Sequence, residues 1–319
     1  MRVLVTGAAG FIGSNLVRFL TENRPEWEIT ALDSLTYAGN LENLTDVLAG
    51  EKVIFSKTDI TDQEEIDKLF ETSKFALVFH LAAETHVDRS LFDPLAFVKT
   101  NVEGTQILLN AAKANGVERF LHISTDEVYG SLGPTGKFSE LTPLDPSSPY
   151  SASKASSDLL VLAAARTYGM NCLVSRCSNN YGPYQFPEKL IPLFIANALE
   201  GKPLPVYGDG MNVRSWLHVI DHCRALLMIA EKGRQGEVYN VGGSDEAEIP
   251  NIVVTKEIIK ALGKSENLIK YVTDRPGHDR RYAIDYTKIN RELGWRPEIA
   301  FVDGLAQTVK WYVENREWW

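Results

Sequence analysis

Cysteine is scarce: Cys172, Cys177 and Cys223 are the three in 319 residues. An odd count with no C-x-x-C pair offers no disulfide framework, and the three read as buried, reduced thiols of a cytoplasmic protein. Positive charge is also short, with 33 Lys and Arg against 42 Asp and Glu and a net charge of −9. Such a surface repels phosphate backbones and argues against a nucleic-acid partner, although a nucleotide-sized anion can still bind in a local basic pocket. No apolar run approaches the ~18 residues that span a bilayer. The strand-like Arg2–Val5 begins at once, with no apolar h-region or cleavage site behind it, so no signal peptide is expected. Metal chemistry is not expected either. His218 and His222 have ligand-like spacing, but no Glu follows His218 and no third ligand is evident.

The composition is ordinary for a globular protein, 44% hydrophobic and 24% charged, and the length suits two domains. Short apolar runs at Val3–Val5, Ile29–Leu32, Val53–Phe55, Leu77–Leu81, Phe120–Ile123 and Cys172–Ser175 predict strands. Helical spacing separates them at Ile12–Asn23, Asp62–Glu71, Val102–Asn115 and Ala155–Tyr168. This alternation predicts an α/β fold, a Rossmann doubly wound parallel sheet with helices on both faces. Beyond Asn179 prolines crowd the chain, at Pro183, Pro187, Pro192, Pro203 and Pro205. The helix Ile220–Lys232 and the strand Glu237–Val241 look like a return to the first domain. The expected division is residues 1–178 plus about 213–242 for the first domain, with a smaller discontinuous C-terminal one from about 179–212 plus 243–319.

Gly7-Ala-Ala-Gly10-Phe-Ile-Gly13 follows a strand and opens an amphipathic helix. Glycines permit the tight turn and let backbone N–H groups approach a pyrophosphate at the positive helix end. Asp33 ends the next strand about 20 residues on, where a carboxylate takes the two ribose hydroxyls. A 2′-phosphate would be repelled there, so NAD is expected rather than NADP. Asp59 and Ile60 end the third strand, where a side chain meets the adenine.

Tyr150-Ser-Ala-Ser-Lys154 puts a phenol and an ammonium one helical turn apart on one face. A phenol is a poor base near neutrality; a neighbouring cation stabilises the phenolate, which can then take a hydroxyl proton as hydride leaves the same carbon. Thr125-Asp126-Glu127 follows the fifth strand, at the end where doubly wound sheets bind ligands. Two carboxyls in one enclosed site do not ionise together easily, so one is expected to keep its proton. The plainer reading is that Thr125 or Asp126 caps a following turn.

These runs identify a resemblance to the extended short-chain dehydrogenase/reductase superfamily, and within it to nucleotide-sugar 4,6-dehydratases. Besides Thr6–Gly13 and Tyr150–Lys154 it is carried by Asp33–Asn40, His80–Arg89, Thr125-Asp-Glu-Val-Tyr-Gly130, Ser178–Pro192 and Arg275–Asp285, nearly the whole chain. The Asp-Glu pair is the specific part, because sugar epimerases of this fold usually carry Ser or Ala there. The resemblance implies dehydration of dTDP-glucose to dTDP-4-keto-6-deoxy-glucose, with C4 oxidised by NAD and the hydride returned to C6. Tyr150 would take the C4 hydroxyl proton and Thr125 would hold that oxygen. Glu127 would take the C5 proton and Asp126 would protonate the departing C6 hydroxyl.

The resemblance also implies the binding residues. For NAD they are Gly7, Gly10, Phe11, Ile12, Gly13, Asp33, Ser34, Leu35, Thr36, Asp59, Ile60, Leu81, Ala82, Ala83, Thr100 and Asn180, with Tyr150 and Lys154. For the nucleotide sugar they are Thr85, Thr125, Asn179, Lys189, Leu190, Pro205, Tyr207, Arg214, Asn251, Arg275 and His278. Cations suit a diphosphate at Lys189, Arg214 and Arg275. Thr85 stands where Ser is usual, Arg214-Ser-Trp-Leu-His218 replaces Arg-Asp-Trp-Leu-Tyr, and the loop Gly243–Pro250 is unusual; all three departures sit on the nucleotide side. A homodimer through Val102–Asn115 and Ala155–Tyr168 is implied as well. The alternatives are a UDP- or GDP-sugar dehydratase, or an epimerase or decarboxylase on the same fold. A noncatalytic NAD sensor would have lost Tyr150, Lys154 or the Thr125–Glu127 run, and all are present.

Overall fold

The computed structural model describes residues 1–274 and 276–319; Arg275 lies outside them. Seven strands build the main sheet: β1 (Arg2–Thr6), β2 (Glu28–Asp33), β3 (Val53–Lys57), β4 (Leu77–His80), β5 (Arg119–Thr125), β6 (Cys172–Cys177) and, after β7 (Asn179–Tyr181), β8 (Leu204–Tyr207) and β9 (Val213–His218), the late strand β10 (Val238–Val241). Their order is β10-β6-β5-β4-β1-β2-β3, with every neighbouring pair parallel. The chain leaves β1 in one direction to β2 and β3 and returns on its other side to β4, so the direction reverses between β1 and β4. A crevice opens there at the carboxyl ends of the strands.

Both faces of this sheet are covered, as a parallel sheet requires. Strand β1 states the reason in three residues. Val3 and Val5 point into one core, with Leu16, Val17 and Leu20 of the helix Phe11–Asn23 and Leu226 and Ile229 of the helix Val219–Lys232. Leu4 points the other way, into a second core with Ile66, Phe70, Leu108 and Val161. Alternate side chains of one strand thus nucleate opposite layers.

The helix Pro149–Tyr168 starts six residues before its apolar spacing does. Ser148 and Ser151 form a reciprocal capping box, Pro149 fills the first turn, and Gly169 ends the helix in a left-handed conformation. The predicted helix 102–115 divides in two. Thr105–Ala114 is α-helical, whereas Val98–Gly104 is wound wider, as a π-helix. Within that wide turn the Asn101 side chain accepts from Glu84 N (2.8 Å) and donates to Ser153 Oγ (2.8 Å), tying the segment after β4 to the Tyr150 helix.

The rest packs around a third core. β9 lies between β7 and β11 (Glu248–Pro250), and β8 pairs with β12 (Ile269–Val272). The helices Leu190–Leu199, Asn251–Ala261 and Phe301–Glu314 bury Ile195, Ile258 and Leu305 beside them. Two segments depart from the expected division. Residues 213–218, expected with the first domain, form β9 and pair with β7 and β11. Ile289 and Trp295, expected with the second, are buried in the first core. Asp221 accounts for the latter: its carbonyl accepts from Trp295 Nε1 and its carboxylate accepts from Glu298 N and Ile299 N. Cys172, Cys177 and Cys223 are free and buried. Among the described residues no helix is long and apolar enough to cross a membrane.

Candidate active site

One large cleft runs across the ends of β1, β2, β4, β5 and β6 and under the loops after β6. It encloses about 2570 Å³ of open space, its mouth included.

The glycine turn forms one end. Gly7 sits at φ +69°, and a Cβ there would meet Ala82 N at 2.7 Å. A Cβ on Gly13 would lie 2.1 Å from the Gly7 carbonyl. The helix behind the turn has no side-chain cap and no acidic residue in its first turn, so no side chain of its own neutralises its positive end. Asp33 is buried at the end of β2 and accepts from Ala9 N (3.0 Å) and Leu35 N (2.8 Å). Burial pushes its carboxyl up, and those N–H groups pull it back. An uncapped helix end, a cradle closed to side chains and a carboxylate at the next strand end fit a dinucleotide. Phe11, Ile12, Ser34, Thr36, Asp59, Ile60, Leu81, Ala82, Ala83, Thr100 and Asn180 also line the cleft. Leu35 does not: its backbone, at φ +55°, turns to donate to Asp33.

The middle of the cleft holds the ionisable groups. Thr125 ends β5, and its Oγ1 accepts from Glu127 N (3.2 Å), so it does cap the short turn Asp126–Tyr129. The same hydroxyl donates to Asp126 Oδ1 (3.3 Å) and hydrogen-bonds with the Tyr150 side chain. Capping and site geometry are therefore one arrangement. Glu127 lines the cleft, whereas Asp126 lies just beneath its surface, with Oδ2 buried and lacking a hydrogen-bond partner. Burial first, and then the Glu127 charge, push the Asp126 carboxyl up to about 8 against the pull of Arg214. Such a carboxyl holds a proton at neutral pH.

Tyr150 and Lys154 line the cleft from one helix. Burial, with Glu127 beside it, raises the Tyr150 phenol well above its usual range. Lys154 Nζ donates to the Ile123 carbonyl (2.8 Å) and lies 3.4 Å from His122 Nε2; burial lowers its ammonium to about 8. With these protein groups alone around it the tyrosine is a neutral phenol.

The far end gathers Thr85, Asn179, Lys189, Leu190, Pro205, Tyr207, Arg214, Asn251 and His278; the expected Arg275 lies outside the described residues. Lys189 Nζ donates to the Thr85 carbonyl (2.9 Å) across the cleft. The Arg214 guanidinium lies over the Tyr282 ring, 4.3 Å from its centre, and donates to the Asp279 carbonyl. Asn179 Oδ1 and Asn251 Oδ1 are buried without a hydrogen-bond partner. His218 and His222 serve separate ends: His218 Nδ1 accepts from Ile220 N, and His222 Nδ1 pairs with Asn180 Oδ1 (2.9 Å).

Several lining residues escaped sequence reasoning. Gln185, Phe186 and Glu188 come from the loop after β7, and Tyr282 and Cys177 complete the walls. Asp158, one turn beyond Lys154, pairs with Arg176 of β6 at 2.8 Å in full burial. The i, i+4, i+8 spacing of Tyr150, Lys154 and Asp158 was the available signal.

The reversal point, the glycine turn, Asp33 and the Tyr150–Lys154 helix together define a dinucleotide-binding short-chain dehydrogenase/reductase. The GDP-mannose 4,6-dehydratase family model matches residues 4–308. A dTDP-glucose 4,6-dehydratase of Actinoplanes sp. is 52% identical over 100% of both chains. The dTDP-glucose 4,6-dehydratase DesIV of Streptomyces venezuelae, solved with NAD bound, superposes with a TM-score of 0.96 at 51% identity, covering 100% of this chain and 99% of that one. A UDP-glucose 4-epimerase of Thermotoga maritima, solved with UDP-glucose, gives 0.91 at 33% identity over 99% of this chain and 100% of its own. The chain belongs to the family of the dTDP-glucose 4,6-dehydratases.

Proposed function

We propose that this chain is an NAD-dependent dTDP-glucose 4,6-dehydratase that releases dTDP-4-keto-6-deoxy-glucose and water. The observation that carries the reading is the Asp126–Glu127 pair under Tyr150, with Asp126 held in its neutral form. When bound, NAD supplies the acceptor for the C4 hydride and the donor of hydride to C6, so it is unchanged overall. The glycine turn, Asp33 and the linings at Asp59–Ile60, Leu81–Ala83, Thr100 and Asn180 would hold it.

The chain's own residues move the protons. The Lys154 ammonium one helical turn away, joined by the positive nicotinamide that bound NAD would supply, lets Tyr150 lose its phenol proton to solvent; Tyr150 Oη then takes the C4 hydroxyl proton, and Thr125 Oγ1 holds the C4 oxygen. The C4 ketone makes the C5 proton acidic. Glu127 takes that proton and later returns it to C5. Asp126 protonates the C6 hydroxyl, which leaves as water. Each such transfer contributes roughly 10²–10⁴ in rate. Thr85, Asn179, Lys189, Arg214, Asn251 and His278 hold the nucleotide diphosphate.

We assign residues 1–178 plus about 213–242, apart from β9, to the dinucleotide, and most of the remainder to the nucleotide sugar. We place the protein in the cytoplasm, supplying deoxysugars such as rhamnose. A homodimer is supported by the exposed Leu159 of the helix Pro149–Tyr168 and by Phe92, 88% exposed, and Leu95, 76% exposed, on short helices that pack against it; a monomer in sedimentation would contradict it.

Epimerisation is the second reading, favoured by the likeness to the Thermotoga maritima enzyme. It needs no acid at C6 and leaves Asp126 and Glu127 without work. Incubation with a panel of nucleoside diphosphate hexoses, followed by mass spectrometry, separates the two. Loss of one water from dTDP-glucose with no net use of NAD is expected. An isomer of unchanged mass would overturn the dehydratase reading.

A further inference from the structure

Trp318 has no part in the chemistry above, yet it stands at the start of a chain of hydrogen bonds that ends inside the glycine turn. Its indole Nε1 donates to Asn43 Oδ1 at 2.6 Å. Asn43 is buried, and its Nδ2 donates to the Ala9 carbonyl at 2.8 Å. Ala9 N donates to Asp33 Oδ2 at 3.0 Å. Asn40 N supplies a second bond to the Ala9 carbonyl, at 3.1 Å. A peptide unit is planar, so fixing the Ala9 carbonyl also fixes where the Gly10 N–H points. An amide side chain such as Asn43 can turn over and exchange its oxygen and nitrogen. The indole N–H, a donor only, selects the orientation in which oxygen faces Trp318 and nitrogen faces Ala9.

The same indole is anchored from the other half of the molecule. It packs against Trp311 (ring centres 5.0 Å apart), Tyr184 (6.0 Å) and Tyr312 (6.3 Å). The loop that carries Tyr184 is fastened to the first helix: Asn15 Nδ2 donates to the Pro183 carbonyl (3.0 Å), and the Arg18 guanidinium lies 4.0 Å from the Tyr184 ring centre. Arg18 also donates to the Asn43 carbonyl. Asn43 is therefore gripped on its backbone by the first helix and on its side chain by the tail.

We propose that Trp318 is a positioning residue for dinucleotide binding: through Asn43 it holds the Ala9–Gly10 peptide and Asp33 in the geometry that receives the adenosine ribose and pyrophosphate. This rests on the dinucleotide reading of the glycine turn. The test is calorimetric titration of NAD, and separately of dTDP, into the nucleotide-free full chain and its Trp318→Phe variant. Phenylalanine keeps an aromatic ring in the cluster and removes only the N–H. Loss of one net hydrogen bond's effect predicts NAD binding weaker by about three- to tenfold, with dTDP affinity unchanged. Trp318→Ala is expected to weaken NAD at least as much. Unchanged NAD affinity in Trp318→Phe overturns the proposal, and so does an equal weakening of both ligands, which is what lost packing alone would give. Failure of the unaltered chain to bind NAD would instead overturn the reading beneath it.

Discussion

Asp126 and Glu127 are neighbours in sequence with different surroundings. Asp126 is sealed beneath the cleft and Glu127 lines it. One therefore suits a proton donor and the other a proton acceptor, the pattern by which paired carboxyls divide acid and base work. Glu127→Gln should abolish exchange of the C5 proton with deuterated solvent, and continued exchange would assign that base elsewhere. The pH dependence follows from Asp126. Its folded value, about 8, lies above the 3.8 of an unperturbed aspartate, so the folded state binds the proton more tightly than the unfolded one. The stability this contributes is complete below about 4 and is lost as pH rises to about 8. The acid form disappears over the upper part of the same range, so dehydration should fall as pH rises through about 8; a rate still climbing there would contradict the assignment. Lys154, lowered to about 8, loses its proton in the same range, which lowers the rate as well by removing the cation beside Tyr150; its effect on stability is opposite to that of Asp126, because a lysine bound less tightly to its proton in the folded state favours folding as pH rises.

The helix Pro149–Tyr168 carries Tyr150, Lys154 and Asp158 on successive turns of one buried face. Its position depends on the capping box at Ser148 and on the fully buried Asp158–Arg176 pair. Arg176 also donates to Tyr129 Oη (2.9 Å), which donates to Asn240 Oδ1 (2.8 Å), so the pair joins the helix to β6 and β10. Asp158→Asn should destabilise the chain by about 3–5 kcal/mol, because Arg176 would be left buried without its counter-charge; denaturant unfolding showing under about 1 kcal/mol would refute this. The strands of the main sheet were legible because parallel strands buried on both faces read as short apolar runs. The places of Asp33 and Glu127 in the cleft were legible because each follows from a strand end, Asp33 closing β2 and Glu127 coming just after Thr125 of β5. The Asp158–Arg176 pair was not, since its partners meet only when β6 lies beside the helix. β9 was misplaced for a similar reason. Trp216 and Leu217 read as a buried strand of any sheet, and only their pairing with Asn179 and Asn180 reveals which one.

The molecule places its two halves on opposite sides of one cleft and links them across it. Lys189 reaches Thr85, and Tyr37 of the first half stands against Phe186 of the second, ring centres 6.4 Å apart. With the tail tryptophan bound to Asn43, this arrangement suits a cofactor that is borrowed and returned rather than exchanged at each turnover. That claim is open to one direct measurement. dTDP-glucose carrying deuterium at C4 should give a 4-keto-6-deoxy product with that deuterium at C6, without added NAD being consumed. Deuterium recovered in released cofactor, or retained at C4 of an isomeric sugar, would contradict it.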